Sequence, residues 1–303
     1  MTLISQISEI KKKISGQILF NEKLSKYSWF NLGGPAKVIF KPKNLNELSF
    51  FLKSLKGNNK IKVLGGGSNT LIRDKGFDGI IIKLGKPFSH LTLFNENTII
   101  AGVSALEKSV SNFALENSIS GLEFLSCIPG TIGGGIRMNS GCYGYDVSKV
   151  LLSVQAMDLG GKVRVIHSSN IKFSYRSCDL EDNLIFISAT FKGIVDKNIN
   201  IKKKINTLIE RKKKTQPSQI KTCGSTFKNP KNKKAWSLIK NAGCSGMRVG
   251  EAYISEKHCN FFVNRGDANS KDLEDLINKV KEQVYKKTGT KLELEIQIIG
   301  EKT

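Results

Sequence analysis

No apolar run in this 303-residue chain approaches the eighteen or so residues that a membrane-spanning helix needs, and no span is expected. Cysteine is sparse and scattered. Cys127, Cys142, Cys178, Cys223, Cys244 and Cys259 include no pair at the two-residue gap of zinc or thioredoxin-like sites, so reduced thiols are expected. A chain this long can bury a sizeable core without a disulfide or metal staple. Histidine is rarer still: His90, His167 and His258 have no neighbours at metal-ligand spacing, and no metal site is expected. The opening "MTLISQISEIKKKISG" lacks the continuous apolar stretch of a secretory leader; it spaces Leu3, Ile7, Ile10 and Ile14 as a helix does. The expectation is a cytoplasmic protein.

Arginine is scarce as well, seven of 48 basic residues, although the formal net charge is +22. A charge of that size raises the thought of a polyanionic partner. The runs "KKK" at 11–13, "KKK" at 202–204 and "RKKK" at 211–214 fall in helical patterns without interleaved aromatics, which reads as solvated helix faces rather than an RNA platform. Abundant Lys, Ile and Asn fit a general composition skew. No nucleic-acid partner is expected, while an anionic small molecule would still gain from the charge.

What is present reads as an α+β succession without internal repeats. "AKVIFKP" reads as a strand, "LNELSFFLKSLKGN" as a helix, and "IKVLGGGSN" as a strand running into a glycine turn. "LLSVQAMDLGGKVRVIH" reads as a hairpin turned at Gly160–Gly161, with "NLIFISATFKGI" as a further strand. A charged helix stopped at Pro217 marks the boundary of a back part. There the sequence predicts the helix "KKAWSLIKNAG", a long helix capped by Ser270, and "KLELEIQIIG" as an alternating strand.

Two glycine-rich stretches carry the chemistry. "GGGSN", Gly65, Gly66, Gly67, Ser68 and Asn69, follows a strand; its amides can face a phosphate, although a tight turn would use the same residues. "GLEFLSCIPGTIGGGIRMNSGCYG" at 121–144 holds a second nest with Pro129, Gly130, Gly133 and Gly134, beside apolar residues able to cover a flat ring, with Asn139 and Gly141 close behind. Two nests imply a diphosphate and an aromatic cofactor. Three other segments hold single residues of interest, each with a plainer reading. Arg176 in "FSYRSC" can grip a carboxylate with two prongs or form a surface salt bridge. Ser225 in "CGSTFKNP" has no adjacent base and can simply shape a turn. In "LELEIQIIG", Glu293, Glu295 and Gln297 share one strand face, which solvent alone would explain.

The 121–144 stretch resembles the flavin-binding signature of the UDP-N-acetylenolpyruvoylglucosamine reductase family. "YSWFNLGGPA", "LGGGSNTLI", "FSYRSC", "CGSTFKNP", "AGCSGMRVGEAYISEKHCNFFVN" and "LELEIQIIG" are similar to that family's blocks, in the same order. The absence of a long insertion in the back part resembles the family's shorter, type II branch. Cys127, Gly135, Cys142 and Thr226 stand where other small or aromatic residues are common.

The resemblance implies an α+β fold: an FAD-binding PCMH/vanillyl-alcohol-oxidase-type region of two subdomains, expected at 1–64 and 65–197, and a substrate-binding domain at 198–303. It implies a monomeric flavoenzyme that takes hydride from NADPH onto FAD and delivers it to the enolpyruvyl group, giving UDP-N-acetylmuramate. The implied catalytic residues are Arg176 as electrophilic clamp, Ser225 as proton donor and Glu295 as the acid working with Arg176. Tyr175, Lys228, Asn229 and Arg248 would serve the substrate, with Glu251 held more loosely. The competing readings are another flavoprotein of the same cofactor fold, such as an oxidase of small alcohols, and a basic nucleic-acid-binding module.

Overall fold

The computed structural model describes residues 2–302, and in it the chain forms two units, each around its own buried core. The first comprises Met1–Phe20, Val38–Gly66 and Gly79–Arg211; the second comprises Asn21–Lys37, Gly67–Asp78 and Lys212–Thr303. Segments 21–37 and 67–78 thus belong with the C-terminal residues.

In the first unit the amphipathic opening forms α1, Leu3–Lys11, started by the Thr2 side chain and burying Ile7 and Ile10. The next helix, α2, Leu45–Ser54, starts at Asn44, whose Oδ1 accepts the Glu47 amide at 2.9 Å. Its face of Leu48, Phe51 and Leu52 is buried, and the Phe51 ring stacks on Phe40 at 3.9 Å between centroids. A four-stranded sheet, ordered Gln17–Lys23, Pro35–Lys41, Phe77–Ile82, Ile61–Val63, supplies Ile18, Val38, Phe40, Ile80 and Ile82 to this core. Ile61–Val63 runs parallel to its neighbour, with Ile61 opposite Ile80.

A second, antiparallel sheet is ordered Val163–His167, Leu151–Met157, Ile185–Lys192, Thr98–Gly102, Leu91–Asn95. Its hairpin turns at Gly160–Gly161 as the sequence predicts: Met157 pairs with Val163, and Asp158 accepts from the Gly161 and Lys162 amides. Helix α3, Glu107–Glu116, precedes the glycine-rich stretch and α4, Ile132–Arg137, lies within it, and α4 packs on the strand Ile185–Lys192. The charged helix α5, Asn198–Thr215, ends before Pro217 and buries only Ile201 and Ile205.

In the second unit, α6, Ala235–Asn241, is followed by α7, Ser270–Thr288, which buries Leu273, Leu276, Ile277, Val280 and Val284. The cap of α7 is Asn269, not the expected Ser270. Asn269 Oδ1 accepts the Asp272 amide while the Asp272 carboxylate accepts the Asn269 amide, closing a capping box. Ser270 is engaged with Asp74 instead, donating to Oδ2 from both its amide and its hydroxyl at 2.7 Å. A small antiparallel sheet joins Arg248–Val249, Ala252–Ile254 and Phe262–Asn264.

The alternating C-terminal segment is a strand only over Gln297–Ile299, parallel to Thr70–Ile72. Before it, the Thr226 carbonyl accepts from both the Glu295 and the Ile296 amides, at 2.8 and 3.4 Å, which interrupts the regular ladder; Leu294 is bridged to Phe227. Among the described residues none of the six cysteines is in a disulfide, no group of three or more His, Cys, Asp or Glu side chains could hold a metal ion, and no helix is long and apolar enough to cross a membrane.

Candidate active site

The two glycine stretches meet within the first unit. A Cβ built on Gly66 would lie 3.6 Å from Gly130 Cα and 3.7 Å from Thr131 N, and one on Gly65 would press to 2.8 Å from Thr131 Oγ1. The amides of Gly65, Gly66, Thr131 and Gly134 have no acceptor among the described residues. Close backbone approach plus unspent N–H donors make a nest for an anion. Other amides of the second stretch are committed: Gly130 donates to Ile128 O and Gly133 to Val103 O, while Pro129 has none to offer.

Asn139, buried and left-handed at φ 39, has its side-chain amide engaged at both ends. Its Nδ2 donates to Ser174 O at 3.1 Å and its Oδ1 accepts the Ser148 amide at 3.0 Å. It fixes the hairpin Phe173–Ser174/Ser177–Cys178, whose two turn residues are Tyr175 and Arg176. Arg176 holds a left-handed φ of 58, sparsely used by non-glycine residues. Its Nη2 donates to Gly141 O at 2.8 Å, and its guanidinium lies 5.0 Å from the centre of the half-exposed Tyr175 ring. The cofactor candidate Gly141, the substrate candidate Tyr175 and the catalytic candidate Arg176 therefore form one cluster.

Beneath that cluster is Glu107, which sequence reasoning missed. It is 1% exposed, and burial pushes its carboxyl up to about 8 against the opposing pull of Ser140 and Arg176. Gly135 leaves room for this pair, since a Cβ would stand 2.4 Å from Glu107 Oε1 and 2.9 Å from Ser140 Oγ. Neighbouring Cys142 has its thiol pushed up by contact with Cys127 and by burial.

In the second unit the backbone brings Ser225, Thr226 and Glu295 into one patch. Phe227 bridges Leu294, so Thr226 stands cross-strand from Glu295, and Lys228 from Glu293, with the Lys228 amide donating to Glu293 O at 2.8 Å. Ser225 is bridged to Phe261 on its other side. Asn260 clamps the strand, its Oδ1 accepting from Phe227 N and its Nδ2 donating to Phe227 O. Asn69 belongs to the same patch: its Nδ2 donates to Glu295 O at 3.0 Å and its carbonyl accepts the Gln297 amide at 2.9 Å. Gly67 accepts the Trp29 amide at 3.1 Å, and Ser68 lies half-buried between these two.

The remaining substrate candidates stand elsewhere. Asn229 Oδ1 accepts the Ala235 amide at the start of α6, and Arg248 is exposed on its hairpin opposite Tyr253. Sequence reasoning missed Asn260 and the Thr226 hydroxyl, which is fully buried without a hydrogen-bond partner. It also missed Lys83, whose only sequence signal is a cation ending the apolar run "GIIIKLG".

Residues 36–167 match a family model described as an FAD binding domain, and residues 216–299 match the C-terminal domain of UDP-N-acetylenolpyruvoylglucosamine reductase. The nest of unspent amides fits the diphosphate of such a cofactor, and the chain is of the class of FAD-binding oxidoreductases. The UDP-N-acetylenolpyruvoylglucosamine reductase of Pelagibacter ubique is 49% identical over 98% of this chain and 99% of its own length. That of Orientia tsutsugamushi (strain Ikeda) is 42% identical over 96% of this chain and 97% of its own. The crystal structure of the Thermus caldophilus enzyme superposes with a TM-score of 0.82 at 29% identity, covering 94% of this chain and 99% of that one. The chain belongs to the UDP-N-acetylenolpyruvoylglucosamine reductase family.

Proposed function

We propose that the chain reduces the enolpyruvyl group of UDP-N-acetylenolpyruvoylglucosamine to the lactyl ether of UDP-N-acetylmuramate, with NADPH as the hydride donor, as a cytoplasmic monomer. Bound FAD would supply the hydride-carrying chemistry between NADPH and the substrate. Gly65, Gly66, Thr131 and Gly134 would hold its diphosphate through their amides. We keep the division into 1–64, 65–197 and 198–303 as a proposal for subdomains.

Hydride arriving at the carbon β to the substrate carboxylate leaves an enolate that needs charge stabilisation and a proton. In this reading Arg176 pairs with the carboxylate, its backbone fixed by the hairpin turn. Ser225 Oγ holds the proton delivered to the α carbon, and Glu295 assists on the developing charge. Lys228 and Tyr175 contact the anionic substrate, with Asn229 and Arg248 at its periphery.

The observation that carries this reading is the patch in the second unit: the Glu295 amide donating to Thr226 O at 2.8 Å sets Glu295 beside the residue that follows Ser225. An anaerobic two-step experiment tests it. NADPH should bleach the flavin of a Ser225→Ala variant at the wild-type rate, while reoxidation by the enolpyruvyl substrate should slow by about 10²–10⁴-fold. Equal slowing of both half-reactions would refute the role of Ser225.

A further inference from the structure

Lys83 is a half-buried cation, and no carboxylate pairs with it among the described residues. It follows the strand Phe77–Ile82 and is fixed by its own amide, which donates to Phe40 O at 2.9 Å. Its Nζ donates to the carbonyl oxygen of Gly65, the first residue of the glycine nest. The Gly65–Gly66 peptide is trans, so its C=O and N–H point in opposite directions. A cation holding the Gly65 carbonyl therefore turns the Gly66 N–H the other way. That N–H is without an acceptor among the described residues, and so is the amide of Thr131, which a Cβ on Gly66 would approach to 3.7 Å.

We propose that Lys83 is a positioning residue of the diphosphate site: it locks the Gly65–Gly66 peptide with its N–H aimed at the anion and sets a positive charge behind it. The peptide dipole lies between the ammonium and the ligand, so cation and amide act on the anion in the same sense. Burial and nearby Lys41 both lower the Lys83 pKa, as expected of a cation whose counter-charge arrives with a ligand. The proposal rests on the FAD reading of the nest for its natural ligand, but the anion site itself can be probed without flavin.

The test compares wild type with Lys83→Met and Lys83→Gln, the latter keeping a donor without the charge. Three quantities are measured: the FAD dissociation constant from fluorescence on dilution, the melting temperature of the flavin-free chain, and its rise with inorganic pyrophosphate. Lys83→Met should weaken FAD about ten- to a hundredfold and abolish the pyrophosphate-induced rise, and Lys83→Gln should do so to a smaller degree. The ligand-free melting temperature should hold or increase, because an unpaired, half-buried ammonium is removed. Should Lys83→Met fail to fold, at least a threefold FAD loss is required of Lys83→Gln. Pyrophosphate stabilisation that survives both substitutions, or lower melting with unchanged FAD affinity, would overturn the proposal. A wild-type chain that binds pyrophosphate through Lys83 yet takes up no flavin would refute the FAD reading and leave this one standing.

Discussion

The Ser140 hydroxyl lies 3.1 and 3.0 Å from the two carboxyl oxygens of Glu107. This contact is a hydrogen bond to a side chain with almost no access to water, and it joins α3 to the segment that presents Gly141 to Arg176.

Glu107 makes stability depend on pH. Its carboxyl is raised from an ordinary 4.5 to about 8, so the folded chain keeps a proton that the unfolded chain releases. Its contribution is complete below about pH 4.5 and is lost as pH rises through about 8. Glu107→Gln keeps the volume and the hydrogen-bonding capacity but cannot ionise. Melting temperatures measured from pH 5 to 8 should fall more steeply in wild type than in Glu107→Gln, and parallel curves would show that the carboxyl does not titrate in this window.

Gly135→Ala should destabilise the first unit by about 1–3 kcal/mol, since the new methyl would stand 2.4 Å from Glu107 Oε1 and 2.9 Å from Ser140 Oγ. Urea denaturation reads the loss. Gly266→Ala is the control: a Cβ there meets nothing within 4 Å, and its midpoint should stay within about 0.5 kcal/mol of wild type.

Thr226→Val should raise stability by about 1 kcal/mol. The hydroxyl it removes is fully buried and makes no hydrogen bond, while the replacement methyl has nearly the same shape. A urea midpoint below that of wild type would mean that the hydroxyl has a partner worth keeping.

Arg73→Lys should cost about 1–3 kcal/mol. Arg73 meets Glu274 with two prongs, Nε to Oε1 at 2.7 Å and Nη2 to Oε2 at 2.8 Å, and its Nη1 donates to Gly300 O at 3.0 Å. A lysine ammonium cannot span those three acceptors. A double-mutant cycle with Glu274→Gln should give a coupling of about 1 kcal/mol that persists in 1 M salt, because both side chains are mostly buried.

Local patterns were legible wherever one short segment determined the outcome. The amphipathic spacing in α1, the Gly160–Gly161 turn and the stop of α5 before Pro217 each follow from neighbours in sequence. The glycine nests were legible as chemistry because runs of glycine have few other uses. Glu107 was not, since its surroundings come from residues some thirty positions downstream, and its sequence context matches that of any helix-opening glutamate. The Asn269 cap was missed because Ser and Asn are near-equal caps and only the contact of Ser270 with Asp74 separates them. The assignment of segments 21–37 and 67–78 to the second unit has no local signature at all, because it depends on pairing with strands made much later.

That late pairing has a bearing on how the protein is born. The Asn69 side chain and the Glu295 carbonyl, which it binds, are 226 residues apart in sequence, and among the described residues the strand Thr70–Ile72 pairs with Gln297–Ile299 alone. On the ribosome, the antiparallel sheet of the first unit has all its strands once Lys192 has emerged, whereas Leu71 and Ile72 wait for almost the entire remaining chain. During that interval an apolar segment stands without its mate, so the second unit cannot close until the last strand is made.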